Sequence, residues 1–306
     1  MRKLYSAIDI GTNSVRHAIG EERDGLIIVT EKKLITTRLG EGTANTDELG
    51  EEPMERTIGA INQFANEARE RGTRLLGIYA TSAVREASNK DVFLENARKQ
   101  GLEIEVLSGE RESAIAFQGV TGNRGGCFAV ADIGGGSTEI SFGTDGMLSA
   151  ASSARIGAVR MTQRFANENG TVSAKNQSVL LDYATNAFCK MTEKLPADAL
   201  MYGVGGTFTT LAAMKIKMRD YDPEKIQDAV LTFDDVHALR ENLCSLNNKE
   251  KLVLPGLMPK RADIIACAAL IAEAVLIASE RTAIRVSERD GLDGYMNYKL
   301  SLIAGS

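Results

Sequence analysis

Apolar and polar residues alternate with a period of two along residues 5–39, a pattern that predicts three strands joined by turns at 11–14 and 21–25. The period then changes to that of a helix. Ile58, Ile61, Phe64, Ala65 and Ala68 fall on one face of a segment that Pro53 opens and Gly72 closes. A strand over 74–80, a helix over 89–100, a strand over 103–107 and a helix over 110–120 follow, the alternation of an α/β domain. The polar, glycine-rich stretch 121–126 interrupts this pattern and the plan then starts again. Strands are predicted over 127–155, helices over 159–169 and 174–194, and a strand over 200–204 leading into Gly205-Gly206-Thr207 and another helix. A helix over 234–246, a core helix over 264–278, a strand over 284–287 and a terminal helix over 292–303 complete the chain. The implied domains are residues 1–121 and 122–291, with helix 292–306 able to fold back onto the first.

The restart is literal. Asp9, Ile10, Gly11, Ser14 and Gly20 coincide without a gap with Asp132, Ile133, Gly134, Ser137 and Gly143, 123 positions later. Each copy follows an apolar run and precedes a second extended run, so each reads as a strand, a tight glycine turn and a returning strand. Such a turn presents backbone N–H groups and hydroxyls while an Asp stands at its base. Two turns facing each other would hold a phosphate chain and a divalent cation. A Rossmann fingerprint is the obvious competitor, but its turn opens a helix and these open strands. Gly134-Gly135-Gly136 also lacks the Gly-Lys-Ser/Thr ending of a Walker loop. An ordinary pair of hairpins with permissive glycines is the plainer alternative. A third loop, Gly205-Gly206-Thr207, lies between strand and helix, where its amides suit a phosphate or serve close packing.

Composition narrows the chemistry. The chain has 306 residues, 43% hydrophobic and 25% charged, as in a soluble globular protein. Its net charge of −5 leaves no field for a nucleic acid polymer, so a polyanionic ligand must be held by locally placed cations. With only His17 and His237, a His-centred triad or structural zinc site has little to be built from. Catalysis falls to carboxylates or a metal. Cys127, Cys189, Cys244 and Cys267 show no paired spacing and read as buried thiols of a reducing, cytoplasmic compartment. The apolar window 264–278 contains Glu273 and is too short to span a membrane, and no signal-peptide pattern opens the chain.

The order of hairpin loop, helical linker, hairpin loop and Gly-Gly-Thr loop resembles the actin, Hsp70 and sugar-kinase superfamily. Arg38-Leu39-Gly40-Glu41-Gly42, Ala80-Thr81-Ser82-Ala83-Val84-Arg85-Glu86-Ala87, Leu107-Ser108-Gly109-Glu110-Arg111-Glu112, Arg261-Ala262-Asp263 and Val286-Ser287-Glu288-Arg289-Asp290-Gly291 sharpen the likeness. With both hairpin loops they resemble the exopolyphosphatase/guanosine pentaphosphate phosphatase family across nearly the whole chain. The resemblance implies an α/β fold of two similar actin-like (ribonuclease H-like) domains flanking an interdomain cleft. It implies hydrolysis of terminal phosphate from inorganic polyphosphate, or of guanosine pentaphosphate, with Mg²⁺ and without nucleic acid or membrane partners. A homodimer is compatible with it.

By the same resemblance Glu112 is the catalytic residue that deprotonates water, although an acid in the first turn of a helix is also favoured by the dipole alone. Asp132 and Glu139, with Asp9 as the equivalent acid of the first loop, are the metal candidates. The phosphate cradle comprises Gly11, Thr12, Asn13, Ser14, Gly134, Gly135, Gly136, Ser137, Thr138, Gly205, Gly206 and Thr207. Arg16, Arg85 and Arg261 are its cations, since guanidinium forks suit phosphate oxygens. His17-Ala18, Ala154-Arg155 and Phe208 depart from the family pattern and bear on packing or substrate preference. A small-metabolite kinase and a non-catalytic polyphosphate or nucleotide sensor remain as other readings.

Overall fold

The computed structural model describes residues 3–304, which form two compact units. The first runs to Gly122 and resumes at Arg289; the second is Asn123–Glu288. In the first unit β1 (Leu4–Ile10), β2 (Ser14–Arg23) and β3 (Leu26–Thr36) make an antiparallel meander, and β4 (Arg74–Ala80) and β5 (Ile104–Val106) extend it in parallel from β1, in the order β3-β2-β1-β4-β5. The second unit repeats this with β6 (Cys127–Ile133), β7 (Thr138–Thr144), β8 (Met147–Ala154) and β9 (Leu200–Val204). Its remaining strands, β10 (Val230–Thr232) and β11 (Ala283–Val286), complete the order β10-β11-β9-β6-β7-β8. The shared five-strand core is the actin-like, ribonuclease H-like arrangement expected from the sequence.

Sequence chemistry explains the central strands. β1 and β6 are buried on both faces between helices, which is why they read as near-continuous apolar runs rather than alternating ones. The aligned glycines Gly20 and Gly143 both sit where the register slips against the third strand of the meander. A Cβ there would lie 2.5 Å from Ile27 and 2.1 Å from the Met147 carbonyl oxygen, so the duplicated bulge requires glycine twice. Helix Ile265–Ala278 is buried almost throughout; its Glu273 accepts from Arg240 Nε at 2.7 Å and faces His237 Nδ1 at 3.0 Å. No helix among the described residues is long and apolar enough to cross a membrane.

The terminal helix Gly291–Ala304 packs on helix Gly109–Thr121 within the first unit. Gly119 and Gly294 meet at the crossing: a Cβ on Gly294 would fall 1.9 Å from the Ile115 carbonyl oxygen, and one on Gly119 2.0 Å from that of Asp290. Backbone therefore touches backbone, and any side chain would push the helices apart.

Some expectations change. The predicted helix over 159–169 ends at Phe165, because Asn167 and Gly170 form a turn closed by Asn167 N–H to Thr171 O at 2.9 Å. β10 escaped the sequence pattern, being a three-residue strand at the sheet edge. Cys244 and Cys267 are buried as expected, but Cys127 is only half-buried and Cys189 is exposed.

His17 is buried without hydrogen bonds to its ring. It is buried on β2 against Phe64, with ring centroids 5.1 Å apart, and neither ring nitrogen has a hydrogen-bond partner among the described residues. The aligned position of the second unit holds Ile140, an ordinary core residue. Burial, helped by the charges of Lys33 and Arg71 and opposed by those of Glu67 and Glu31, leaves the imidazole pKa below its ordinary 6.5. The unfolded chain therefore takes up a proton near pH 6.5 that the folded chain accepts only at lower pH. Stability is full above that value and falls as the pH drops towards the depressed one, by up to about 1.4 kcal/mol per pH unit. Urea denaturation at pH 7.5 and 5.5 should show a smaller loss for His17→Ile than for the wild type; equal losses would exclude His17 as the source.

Candidate functional site

Both hairpin loops are built alike. Gly11 N–H donates to Ser14 O at 3.0 Å, and Gly134 N–H to Ser137 O at 2.9 Å. Behind each loop, the segment following the third strand ties back the loop carbonyls. Thr37 N–H and Arg38 N–H donate to Asn13 O at 3.1 and 2.9 Å, and Gly40 N–H to Thr12 O at 2.9 Å. In the second unit the first turn of helix Ala158–Phe165 does this: Ala158 N–H reaches Gly134 O at 2.9 Å, and Val159 and Arg160 N–H reach Gly135 O at 2.8 and 3.1 Å. Arg160 Nε adds a bond to Gly136 O at 3.0 Å. Gly157 permits the approach, since a Cβ there would stand 2.5 Å from the Gly135 and Gly136 backbone.

In a trans peptide the C=O and N–H point oppositely. Tying the carbonyls back therefore aims the N–H groups of Asn13, Gly135, Gly136 and Ser137 away from the protein behind them, as an anion requires. Among the described residues the amides of Asn13, Gly135 and Gly136 have no backbone acceptor.

The acids at the base of the two loops differ in what faces them. On the first hairpin Asp9 is directly opposite Arg16; on the second Asp132 is directly opposite Glu139. Arg16 Nε donates to Asp9 Oδ2 at 2.8 Å, and Arg16 also bonds Asp290 Oδ2 at 2.6 Å. Lys32 closes the group, at 3.2 Å from Asp290 Oδ1 and 2.7 Å from Asp293 Oδ2. Burial raises the Asp9 pKa despite Arg16, and its Oδ1 is buried without a hydrogen-bond partner. Burial also opposes ionisation of Asp290, but Arg16 and Lys32 outweigh it and hold the carboxyl down to about 2. Burial and Asp290 raise Asp293.

On the second hairpin the residue opposite the loop acid is itself an acid. Glu139 is buried, with Oε1 accepting from Ser153 Oγ at 2.7 Å, and shares a face with Asp132. Two carboxylates on directly opposed positions, beside a loop of outward amides, fit Mg²⁺, which takes one or two carboxylates and completes its shell with phosphate oxygens and water. No cluster of three metal-binding side chains is present among the described residues, and such a site needs none.

Glu112 stands in the first turn of helix Gly109–Thr121, capped by the Ser108 side chain. Its Oε2 accepts from an Arg85 Nη at 2.7 Å, and the same nitrogen donates to Leu107 O at 3.0 Å. Two candidates 27 residues apart are thus joined beyond the carboxyl ends of β4 and β5, where α/β sheets bind ligands. Tyr79 lies beside Asp9 in the β1–β4 register, and burial, then Asp9, Asp290 and Glu112, opposed by Arg16, push its phenol far up. In the second unit Gly205 adopts φ +80°, and a Cβ there would press to 2.7 Å from Asp132 Oδ1. The Arg261 guanidinium lies flush on Gly206, where a Cβ would meet it at 1.8 Å, and Thr207 Oγ1 donates to Ile133 O at 3.3 Å.

Asp9, Gly11–Ser14, Arg16, Arg85 and Glu112 therefore belong to the first unit; Asp132, Gly134–Thr138, Glu139, Gly205–Thr207 and Arg261 belong to the second. Sequence reasoning missed the tie-back residues, though carrying the 123-residue offset forward from Thr37 to Arg160 finds one in each unit. It also missed Asp290 as a partner of Arg16, 274 residues away, for which no local signal exists.

The Ppx/GppA phosphatase family model matches residues 18–296. The bifunctional 3-dehydroquinate synthase/phosphatase of Fusobacterium nucleatum is 32% identical over 95% of this chain and 46% of its own length. Exopolyphosphatase 2 of Mycobacterium tuberculosis is 31% identical over 94% and 96%. The guanosine-5'-triphosphate,3'-diphosphate pyrophosphatase of Photobacterium profundum is 30% identical over 85% and 52%. The chain thus spans about half of the first and third and nearly all of the second. The crystal structure of the Aquifex aeolicus member of the Ppx/GppA family matches with TM-score 0.82 and 26% identity over 100% of both chains.

The opposed charges should separate in stability. In metal-free buffer at pH 7, Arg16→Gln strands Asp9, leaves Asp290 to Lys32, and should cost about 3 kcal/mol. Glu139→Gln removes one of two facing like charges and should cost less than about 1 kcal/mol. Urea denaturation of both variants checks this, and comparable losses would contradict the assignment.

Proposed function

Because the chain belongs to the Ppx/GppA phosphatase family, we propose that it is a phosphoanhydride hydrolase releasing terminal orthophosphate from inorganic polyphosphate, with Mg²⁺ as cofactor. The observation that carries this reading is the pairing of Glu112 with Arg85 at the carboxyl ends of β4 and β5, in a chain that also carries two tied-back, amide-bearing loops. Support for polyphosphate comes from the near full-length similarity to an exopolyphosphatase.

Hydrolysis needs a positioned water, a proton acceptor and stabilisation of the phosphoryl oxygens. Glu112 takes the water proton, and Arg85 holds its carboxylate in place. Loop amides and Arg261 receive phosphate oxygens, the amides at no reorganisation cost because their carbonyls are already bound. Asp132 and Glu139 would hold the cation, which supplies charge neutralisation at those oxygens. The water oxygen bonds to the terminal phosphorus, the bridging P–O bond breaks, and orthophosphate leaves a chain shorter by one unit.

The second reading, hydrolysis of guanosine pentaphosphate, is favoured by similarity to an enzyme named for that nucleotide and uses the same groups. The same proposal sets the protein in the cytoplasm as a homodimer, a reducing setting suited to the free thiols Cys244 and Cys267. Glu112→Gln should lose a factor on the order of 10² to 10⁴ in phosphate release while still binding ligand. Wild-type protein with no phosphate release from either substrate would contradict the hydrolase reading and leave a sensor.

A further inference from the structure

Each hairpin and the third strand beside it set three side chains in one row. In the first unit the row is Asp9 on β1, Arg16 on β2 and Leu34 on β3; in the second it is Asp132 on β6, Glu139 on β7 and Ser153 on β8. Directly opposed residues of antiparallel strands share a face, so each row lies on one side of its sheet. The units therefore differ at the last position of the row as well. Arg16 finds acceptors in Asp9 and Asp290, and Leu34 beside it offers no polar group. Glu139 has a hydroxyl in that place, and Ser153 Oγ donates to Glu139 Oε1 at 2.7 Å.

The strand that carries Ser153 is fixed where it leaves the sheet. Thr138 Oγ1 donates to Ile156 O at 2.5 Å, and Ile156 N–H donates to Ala154 O at 2.7 Å. The chain thus turns sharply just past Ser153 and is tied to the start of β7. Glu139 is buried, whereas Ser153 is exposed. The hydroxyl reaches the carboxylate from the rim, and an alanine in its place would remove the bond without opening a cavity in the core.

A glutamate side chain turns about several torsions, and the like charge of Asp132, directly opposite, favours rotamers that carry the Glu139 carboxylate away from it. Mg²⁺ demands near-ideal octahedral geometry, so a ligand that wanders binds it weakly. The Ser153 bond opposes that wandering. It holds one carboxylate oxygen on the β8 side of Glu139, while Asp132 stands on the β6 side of the same residue. Removing the hydrogen-bond partner of a metal-binding group typically weakens metal affinity about 10- to 100-fold.

We infer that Ser153 is a positioning residue of the proposed cation site, its hydroxyl holding the Glu139 carboxylate ready for Mg²⁺ and so setting affinity for the cation more than the rate of bond breaking. The inference rests on the reading of Asp132 and Glu139 as the cation's ligands, so Glu139→Gln is measured in parallel. Mn²⁺ is titrated into the full chain with pyrophosphate present and followed by electron paramagnetic resonance, for the wild type, Ser153→Ala, Ser153→Thr and Ser152→Ala, each first checked for an unchanged circular dichroism spectrum. Ser153→Ala should raise the Mn²⁺ dissociation constant about tenfold. Ser153→Thr, which keeps a hydroxyl, should recover most of that loss, and Ser152→Ala, whose side chain stands on the other face of β8 opposite Ile140, should match the wild type. In phosphate release from polyphosphate, the Mg²⁺ concentration for half-maximal rate should rise in Ser153→Ala by more than kcat falls. A hydroxyl kept only to satisfy a buried carboxylate would lower stability and leave Mn²⁺ affinity unchanged; that result, or equal weakening in Ser153→Thr, overturns the inference while binding is still lost in Glu139→Gln. Mn²⁺ binding that survives Glu139→Gln overturns the ligand reading, and the inference with it.

Discussion

The backbone hydrogen bonds that tie the loop carbonyls of Thr12, Asn13, Gly134 and Gly135 to the segments behind them are the constraint on which the site depends. A glycine-rich turn has no intrinsic orientation. Once its carbonyls are bound on one side, peptide planarity fixes its amides on the other, and that directional choice makes an ordinary hairpin a place for an anion. The surrounding glycines serve the same end: Gly157 lets a helix N-terminus reach the second loop, and Gly40 makes room for the Thr12 methyl group at the first.

Duplication supplied the frame and divergence at one position divided its labour. The residue facing the loop acid is Arg16 in one unit and Glu139 in the other, at the same offset and on the same face. Arg16 turns the first copy into a closed ion network reaching Lys32, Asp290 and Asp293, which also anchors the start of the terminal helix. Glu139 turns the second copy into a pair of facing carboxylates, an arrangement that gains most from an added cation. The near backbone contact of Gly119 with Gly294 completes the first unit by letting the terminal helix lie against the helix that carries Glu112.

Much of this was legible in the sequence. Asp9 and Asp132, with their glycines, announced the repeat and its strand–turn–strand geometry, and the alternation of strand and helix periods announced the α/β class; the bulges at Gly20 and Gly143 were visible only in the register. Helix Ile265–Ala278 was legible because every turn of it is apolar. What escaped depends on distance along the chain. Arg85 and Glu112 were separate candidates whose union is decided by two adjacent strand ends. The Tyr221 hydroxyl donates to the Glu288 carboxylate 67 residues away, with nothing in either neighbourhood to suggest the other. The contrast of Arg16 with Glu139 was in plain sight, but its meaning needed the register that sets each against its Asp. Neither the Asp290 partnership nor the exposure of Cys189 has a local pattern to read.

The proposed Mg²⁺ would belong to the second copy of the hairpin, where Glu139 faces Asp132, and Arg16 fills the corresponding place in the first. Titration of Mn²⁺ in the presence of pyrophosphate, followed by electron paramagnetic resonance on the full chain, tests it directly. Binding should be lost in Asp132→Asn and Glu139→Gln and kept in Asp9→Asn; loss in Asp9→Asn with binding intact in the other two would contradict the account.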